Sequence, residues 1–578
     1  MKGRKGIPRI GKLEIRLERW RSFLIQGLLL SGFLVLGGRA FWLQGIHADF
    51  LQQKGEERYS RVLPIPASRG IIRDRNGQAL AISIPAVSVW ANREDLQIDE
   101  AQSRALARCL NENPVEIARR LKGEDGVVYL KRQLPPDEAK RVMDLKIPGI
   151  YLQHGFHRAY PKSSEMAHLV GFTDADDKGQ EGVELTYQAQ LEGLAGARRV
   201  IRDRAGHVIE DVENIRSPRQ GQDVSLSVDA RIQHLAAREL HRAIESSHAK
   251  AGAIVVLDSR TGEVLALVNS PDYDPNQRGG LSGAELRNRA ITDTYEPGST
   301  VKPFTIAAAL EAGTVRPDTV ISTHGGVLAI ANHLIHDDHV AESYTVSEVI
   351  EHSSNVGAAR IALDLPPVKM WDLFTDVGFG QKPRLGFPGE AGGRLRPYQN
   401  WKPIEQATMA FGNGMTVSLV QMARAYTVFP NDGILRPLSL IKVSAIPSGR
   451  PVLSVRTARE VTAMLETVVS AEGTAPEARV AGYRVAGKTG TAHKVARGHY
   501  VNKYVASFIG FAPVSAPRIV VAVMIDEPAG SRYYGGQVAA PVFSALTGEI
   551  MQLLDIPPDA PAPPTIASSP GSAEGHHT

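Results

Sequence analysis

"YEPGSTVKPF", residues Tyr295 to Phe304, sets a lysine three places after a serine, directly behind a proline and a glycine. Positions three apart share one face of a helix, so the Lys302 amine is expected to lie against the Ser299 hydroxyl. That pairs a nucleophile with a base. The spacing alone decides nothing, because Ser247 to Lys250 and Ser439 to Lys442 repeat it. Ser247 and Lys250 close an amphipathic helical pattern. Ser439 and Lys442 fall in the strand-like "PLSLIKVSAI", where positions three apart face opposite ways. What separates the Ser299 pair is its company.

"SSN" at Ser353 to Asn355 is the only Ser-x-Asn in the chain, and "KTGT" at Lys488 to Thr491 holds the only Lys-Thr-Gly. In this order they form the three-part set of serine acyl-transferases that trap β-lactams. Each residue type has a chemical reason. Ser299 should open a helix, whose free N–H groups favour developing negative charge. Pro303 is harmless in a first turn, where its missing N–H had no partner. A lysine is normally protonated, and burial near further positive character, the helix start and Lys488, would push Lys302 toward neutrality and make it the base. Ser353 would pass the proton on, and Asn355 would hold an amide of a bound peptide. "VAGKTGT" reads as an edge strand. There Gly490 admits a substrate backbone, Thr491 gives an oxyanion N–H alongside that of Ser299, and Lys488 and Thr489 attract a terminal carboxylate. Tyr533 and Tyr534 are candidates for an aromatic wall of the cleft. No metal or cofactor is called for.

Outside the site, the 578 residues exceed a single core. Residues 1–21 hold eight Lys or Arg against Glu14 and Glu18, a net of +6, while the chain totals +4. The rest is therefore slightly acidic, which excludes a basic nucleic-acid groove. "SFLIQGLLLSGFLVLGG" (Ser22 to Gly38) carries no charge, and Trp20 to Trp42 would span about 33 Å, close to the ~30 Å hydrocarbon core. Residues 22–46 are read as an uncleaved anchor behind a cytoplasmic basic tail, 1–21, since the positive side stays inside. Cys109 is the only cysteine, so no disulfide forms within the chain; it reads as a core filler.

Residues 47–220 are expected to form a membrane-proximal pedestal. "SRGIIRDRNGQALA" reads as two strands about an Asn-Gly turn, Asp99 to Lys146 as solvated helices, and Arg158 to Glu184 as a polar, turn-rich stretch whose Asp174, Asp176 and Asp177 lie in a surface loop. From 221 to 555 the expectation is an α+β domain. It begins with a strand at "DVSLSVD", an amphipathic helix and a buried hairpin; a helical section from about Ser299 to Leu365 follows; three late strands complete one antiparallel sheet. Residues 556–578, rich in Pro, Ala and Ser, are expected to be disordered.

At "RNRAITDTYEPGSTVKPFT", "SSNVGAARIAL", "GFPGE" and "GKTGTAHK", together with "RGIIRDRNGQALA" and "HLVGFTDADDKGQEGVE" in the pedestal, the chain resembles the class B, monofunctional penicillin-binding proteins, and most of all their division-specific FtsI branch. The resemblance implies a peptidoglycan D,D-transpeptidase that cross-links stem peptides of the septal wall and is acylated by β-lactams. It also implies residence in the inner membrane and partners in the division complex, including a membrane-embedded lipid II polymerase. No "EDxxFxxHxG" stretch suggests a polymerising domain of its own. Where the branch tends to read Gly-Tyr-Gly, this chain reads Gly412-Asn413-Gly414. The alternatives are a D,D-carboxypeptidase or β-lactamase-type hydrolase, against which no Glu-x-x-Leu-Asn lies between Asn355 and Lys488, an elongation-specific transpeptidase, and a scaffold with a vestigial site.

Overall fold

The computed structural model describes residues 19–47, 60–122, 126–202 and 208–560. The basic tail up to residue 18 and the chain beyond 560 lie outside it. Arg19–Phe41 is one α-helix, continued by a wider turn over Trp42–Ile46. None of its side chains is buried, and a mean hydropathy of 1.6 makes it long and apolar enough to cross a membrane.

The catalytic half is built on a five-stranded antiparallel sheet in the order Val264–Ser270, Ala251–Asp258, Ile519–Asp526, His499–Ala512, Ala486–Ala496. The two strands of the early hairpin are buried at nearly every position, which accounts for their unbroken apolar runs. Helices Ala230–Ser247 and Ala540–Leu553 pack on the sheet and on each other. The last strand, which carries Lys488 to Thr491, is an edge, as its sequence implied.

Several expectations need correction. The helical reading of Asp99 to Lys146 is interrupted by the strand Val127–Leu134, which pairs with the long strand Ala79–Asn92. Between Ser299 and Leu365 the chain leaves the helical pattern for two small antiparallel pairs, Val320–Ser322 with Ser343–Thr345 and Val327–Ile330 with His333–His336. "DVSLSVD" yields only Val224–Ser225, paired in parallel with Ile72–Arg73. The polar stretch after Arg158 conceals the helix Ser163–Val170, whose last five residues are buried. Asp174 caps its own turn through the N–H groups of Asp176 and Lys178, Asp176 meets Arg132 at 2.6 Å, and Asp177 is partly buried, its carboxyl pushed up to about 6 by that burial. At the far end Ile556 is buried, and the Asp559 carboxylate accepts from the N–H groups of Arg484 and Ser515, so the start of the tail is packed.

Packing does not divide at residue 220. One apolar cluster runs from Ile72, Leu80, Met166 and Leu169 through the catalytic sheet to Ile556, while a separate small core around Val89, Leu106, Ile117, Leu130 and Ile150 fills the distal head of the pedestal. Cys109 packs against the latter. The turn at Asn76-Gly77 forms as read, and it is also a joint. Asp74 closes that turn and accepts from the N–H of Ala230 at 3.2 Å, at the start of a catalytic-domain helix.

Beneath this joint Glu184 is wholly buried between two arginines, 2.6 Å from Arg69 Nε and 2.7 Å from Arg158 Nε. Removing the central carboxylate would strand two buried guanidinium groups, a loss of about 3–5 kcal/mol. Glu184→Ala is therefore expected to lower the thermal unfolding midpoint of the detergent-solubilised chain by several degrees, whereas Glu100→Ala, which breaks an exposed pair with Arg104, leaves it in place.

Candidate active site

Tyr295 is fixed by a reciprocal pair of backbone hydrogen bonds with Val417. Pro297 then turns the chain into a single 3-10 turn, Gly298–Val301, that runs directly into the helix Lys302–Ala312. Ser299 thus stands at a helix start, and Pro303 occupies the first turn, where its lack of an N–H costs nothing. Phe304 anchors the helix edge-on against Phe379 and Tyr426, and the Tyr426 hydroxyl donates to Thr300 O at 2.7 Å.

Lys302 and Lys488 both have no exposed surface. Lys302 Nζ reaches Ser353 O, Ser353 Oγ at 3.2 Å and Asn355 Oδ1 at 2.8 Å. Burial pushes the amine down to about 7, against an opposing pull from Asp337 and Asp338. Of the two causes expected from sequence, burial carries the shift, while the charges acting on Lys302 are the negative ones of Asp337 and Asp338 rather than positive neighbours. Lys488 is held well below its usual value by burial and then by the charge of Lys302, and its Nζ contacts Thr489 Oγ1 at 3.2 Å. Of the three atoms around Lys302 Nζ only the Ser353 hydroxyl can also donate, so only it can turn a proton toward the neutral amine.

The Ser353–Asn355 turn depends on a residue the sequence gave no reason to select. Ser353 adopts a left-handed backbone, φ +59°, and Asp337 holds the turn from outside. Asp337 Oδ2 accepts from Ser354 Oγ at 2.6 Å, and its Oδ1 accepts from the N–H groups of Asn355 and of Val356, the latter at 2.9 Å. Asn355 Nδ2 in turn donates to His336 O at 3.0 Å. Each end of the Asn355 amide thus has one protein partner, which leaves one Nδ2 hydrogen and one Oδ1 lone pair for a substrate.

Ser299, Ser353, Asn355, Asn413, Thr489, Thr491, Tyr533 and Tyr534 line one cleft of about 690 Å³, with the two lysines beneath it. Gly490 is not among the lining residues. A Cβ there would lie 2.6 Å from Ser507 Oγ, 2.9 Å from Thr300 Cγ2 and 3.0 Å from Pro297 O. Its smallness lets the serine turn dock on the edge strand rather than admitting substrate, which corrects the expectation. Gly412 has a similar duty: at φ +89°, its added Cβ would meet Gly298 O at 2.2 Å. Thr491 Oγ1 accepts from the Gly535 N–H at 3.0 Å, tying the strand to the segment behind the tyrosines. Tyr533 stacks on Tyr534 at 4.6 Å and on Tyr504 at 4.2 Å, and His493 follows at 4.5 Å from Tyr504. Tyr504 and His493 also line the cleft and went unnoticed in the sequence, where they look like ordinary strand residues.

Comparison with known proteins agrees with this geometry. Residues 252–548 match the penicillin binding protein transpeptidase domain, and 64–226 match the penicillin-binding protein dimerisation domain. The chain belongs to the class B penicillin-binding proteins. It is 42% identical over 557 residues to the probable peptidoglycan D,D-transpeptidase PenA of Neisseria gonorrhoeae, covering 95% of both chains. It is 40% identical over 549 residues to the peptidoglycan D,D-transpeptidase FtsI of Escherichia coli K12, covering 94% of this chain and 93% of that one. Among solved structures, the apo TP domain of Burkholderia pseudomallei penicillin-binding protein 3 is 48% identical, with a TM-score of 0.54, over 58% of this chain and 98% of that domain. A peptidoglycan synthetase of Bifidobacterium adolescentis, 25% identical, superposes with a TM-score of 0.69 over 87% of this chain and 98% of its own. This penicillin-binding protein is a serine acyl-transferase of the peptidoglycan D,D-transpeptidase type, with peptidoglycan as substrate and β-lactams as ligands.

Asp337→Ala would leave backbone N–H groups beside the Lys302 contacts without an acceptor, at ~1–3 kcal/mol. Labelling of the penicillin-binding protein by a fluorescent penicillin is expected to slow roughly ten- to hundredfold, with far-ultraviolet circular dichroism unchanged. Labelling at the parent rate would show that the turn holds without Asp337.

Proposed function

We propose that this protein cross-links stem peptides of the septal wall, with Ser299 as nucleophile and Lys302 as its base. The observation that carries the chemistry is the Lys302 amine, buried, poised near neutrality and shared between Ser353 and Asn355. In acylation, neutral Lys302 takes the Ser299 proton as Oγ bonds to the penultimate D-alanyl carbonyl carbon. The N–H groups of Ser299 and Thr491 receive the oxyanion. Ser353 carries the proton to the departing nitrogen, the C–N bond breaks and D-alanine leaves. Thr489, its hydroxyl backed from beneath by Lys488, holds the terminal carboxylate, Asn355 an amide of the donor peptide, and Tyr533 and Tyr534 a flank of it. A stem-peptide amine then takes the acyl group.

The septal assignment is supported by the FtsI name of several relatives and by the blocks around Ser299, Ser353 and Lys488. On this reading the apolar helix lies in the inner membrane, with its basic tail in the cytoplasm and the catalytic half outside. The partners are division-complex proteins, including a lipid II polymerase. PenA and PbpC relatives match at similar identity, so the name alone does not separate septal from elongation work.

A base works when deprotonated, so the acylation rate should climb with pH, about tenfold per unit well below neutrality, and level off above a midpoint near 7, where the amine is half neutral. Stopped-flow acylation by a chromogenic β-lactam between pH 5 and 9 reads this directly. Lys302→Ala should abolish the adduct, and a pH-independent rate would remove Lys302 from the role. A fluorescently tagged copy in dividing cells should form bands at mid-cell; labelling dispersed along the lateral wall would move the protein to elongation.

A further inference from the structure

The three motifs act on the donor peptide, yet cross-linking also needs an acceptor, and an alkyl amine is an ammonium at neutral pH. Resting on the acyl-transfer reading above, we propose that Asp338 forms the acceptor subsite, its carboxylate receiving the ammonium of the incoming stem peptide and holding it beside the acyl carbon on Ser299.

Place is the first argument. The attacking amine must enter where the leaving amine departed, on the Ser353 and Lys302 side of the acyl group, because the second half-reaction retraces the first. Asp338 lines the same cleft as Ser299, Ser353 and Asn355. It shares that lining with Tyr534, and its charge reaches both Lys302 and Tyr534, so it stands within range of the base and of the aromatic wall.

Rigidity is the second. Although exposed, Asp338 directly follows a residue pinned at several points. Asp337 donates its N–H to Gly326 O at 3.0 Å and uses both carboxylate oxygens on the Ser354–Val356 turn, and His336 O is held by Asn355. Asp338 itself makes no hydrogen bond or ion pair among the described residues, so its carboxylate is available.

Charge is the third. The lining of the cleft contains no lysine or arginine, and its carboxylates are Asp338 and Glu477. With the two buried lysines held toward neutrality, the mouth attracts a cation. The pairing also feeds back on the base. Asp338 favours the protonated form of Lys302, and an ammonium set against that carboxylate would cancel its field, leaving Lys302 more often neutral, the form a base needs, once the acceptor is seated.

The step balances. The ammonium loses one proton to solvent, with His339 and His352 on the same wall as candidate carriers. The amine nitrogen bonds to the acyl carbon, the bond from that carbon to Ser299 Oγ breaks, and the second amine proton passes through Lys302 to Ser299 Oγ.

The test uses the full chain in detergent with a thioester analogue of the donor peptide, and as acceptor a soluble stem tetrapeptide bearing a free diamino-acid amine. The ratio of amide to hydrolysed product measures the fate of one acyl-enzyme and is independent of how fast it formed. Asp338→Asn should lower that ratio roughly five- to tenfold by raising the acceptor concentration needed for half saturation, Asp338→Glu should restore most of it, and added salt should weaken the parent but not Asp338→Asn. An unchanged ratio in Asp338→Asn, a loss confined to the saturating rate, or no amide from the parent with this acceptor would overturn the subsite. Failure of the parent to form a Ser299 adduct would instead overturn the acyl-transfer reading.

Discussion

Everything at the centre of this molecule depends on keeping one primary amine out of water. Lys302 is useful only because the fold closes over it, and the closure is assembled from four separate parts of the chain. The helix Lys302–Ala312, entered through the 3-10 turn, brings the amine, the Ser353–Asn355 turn receives it, the edge strand Ala486–Ala496 covers it with Lys488, and Gly412 packs against Gly298. A small residue stands wherever two of these backbones touch. Gly490 and Gly412 are fitted to neighbouring protein, and the glycine of "KTGT" is thus a packing requirement as much as a chemical one.

Much of the site could be read from the sequence because its chemistry is concentrated in a few residue types at short spacings. Ser299 with Lys302, Ser353 with Asn355, and Lys488 with Thr489 each sit within one local turn or strand, where spacing converts directly into geometry. Asp337 could not be found that way. It works by accepting from a hydroxyl seventeen positions away and from backbone N–H groups eighteen and nineteen away, and nothing in "HDDH" says which carboxylate will cap a distant turn. Tyr504 escaped for the same reason: its stack with Tyr533 joins a strand to a loop through tertiary packing alone.

The fold shows the same division. Long apolar strands and amphipathic helices declared themselves, as at Ala251–Asp258 and Ala230–Ser247. The short pairs between residues 320 and 345 did not, because three- and four-residue strands are too brief for a period to register and many of their side chains face solvent. The helix Ser163–Val170 was hidden by the turn-forming residues on either side, although its own core positions are filled with Met166, Leu169 and Val170. Arg69, Glu184 and Arg158 look like surface charges in the sequence. Their burial is possible only because the three meet, each supplying what would otherwise be missing in a medium that solvates charge poorly.

The continuity of the large core across the nominal domain boundary has a mechanical meaning. The base of the pedestal, from Ile72 to Leu80 and from Met166 to Leu191, is cemented to the catalytic sheet, while the distal head has its own small filling. Load carried by the base of the pedestal would reach the serine turn through interlocked side chains, as through a keyed shaft, without passing through the separately filled head.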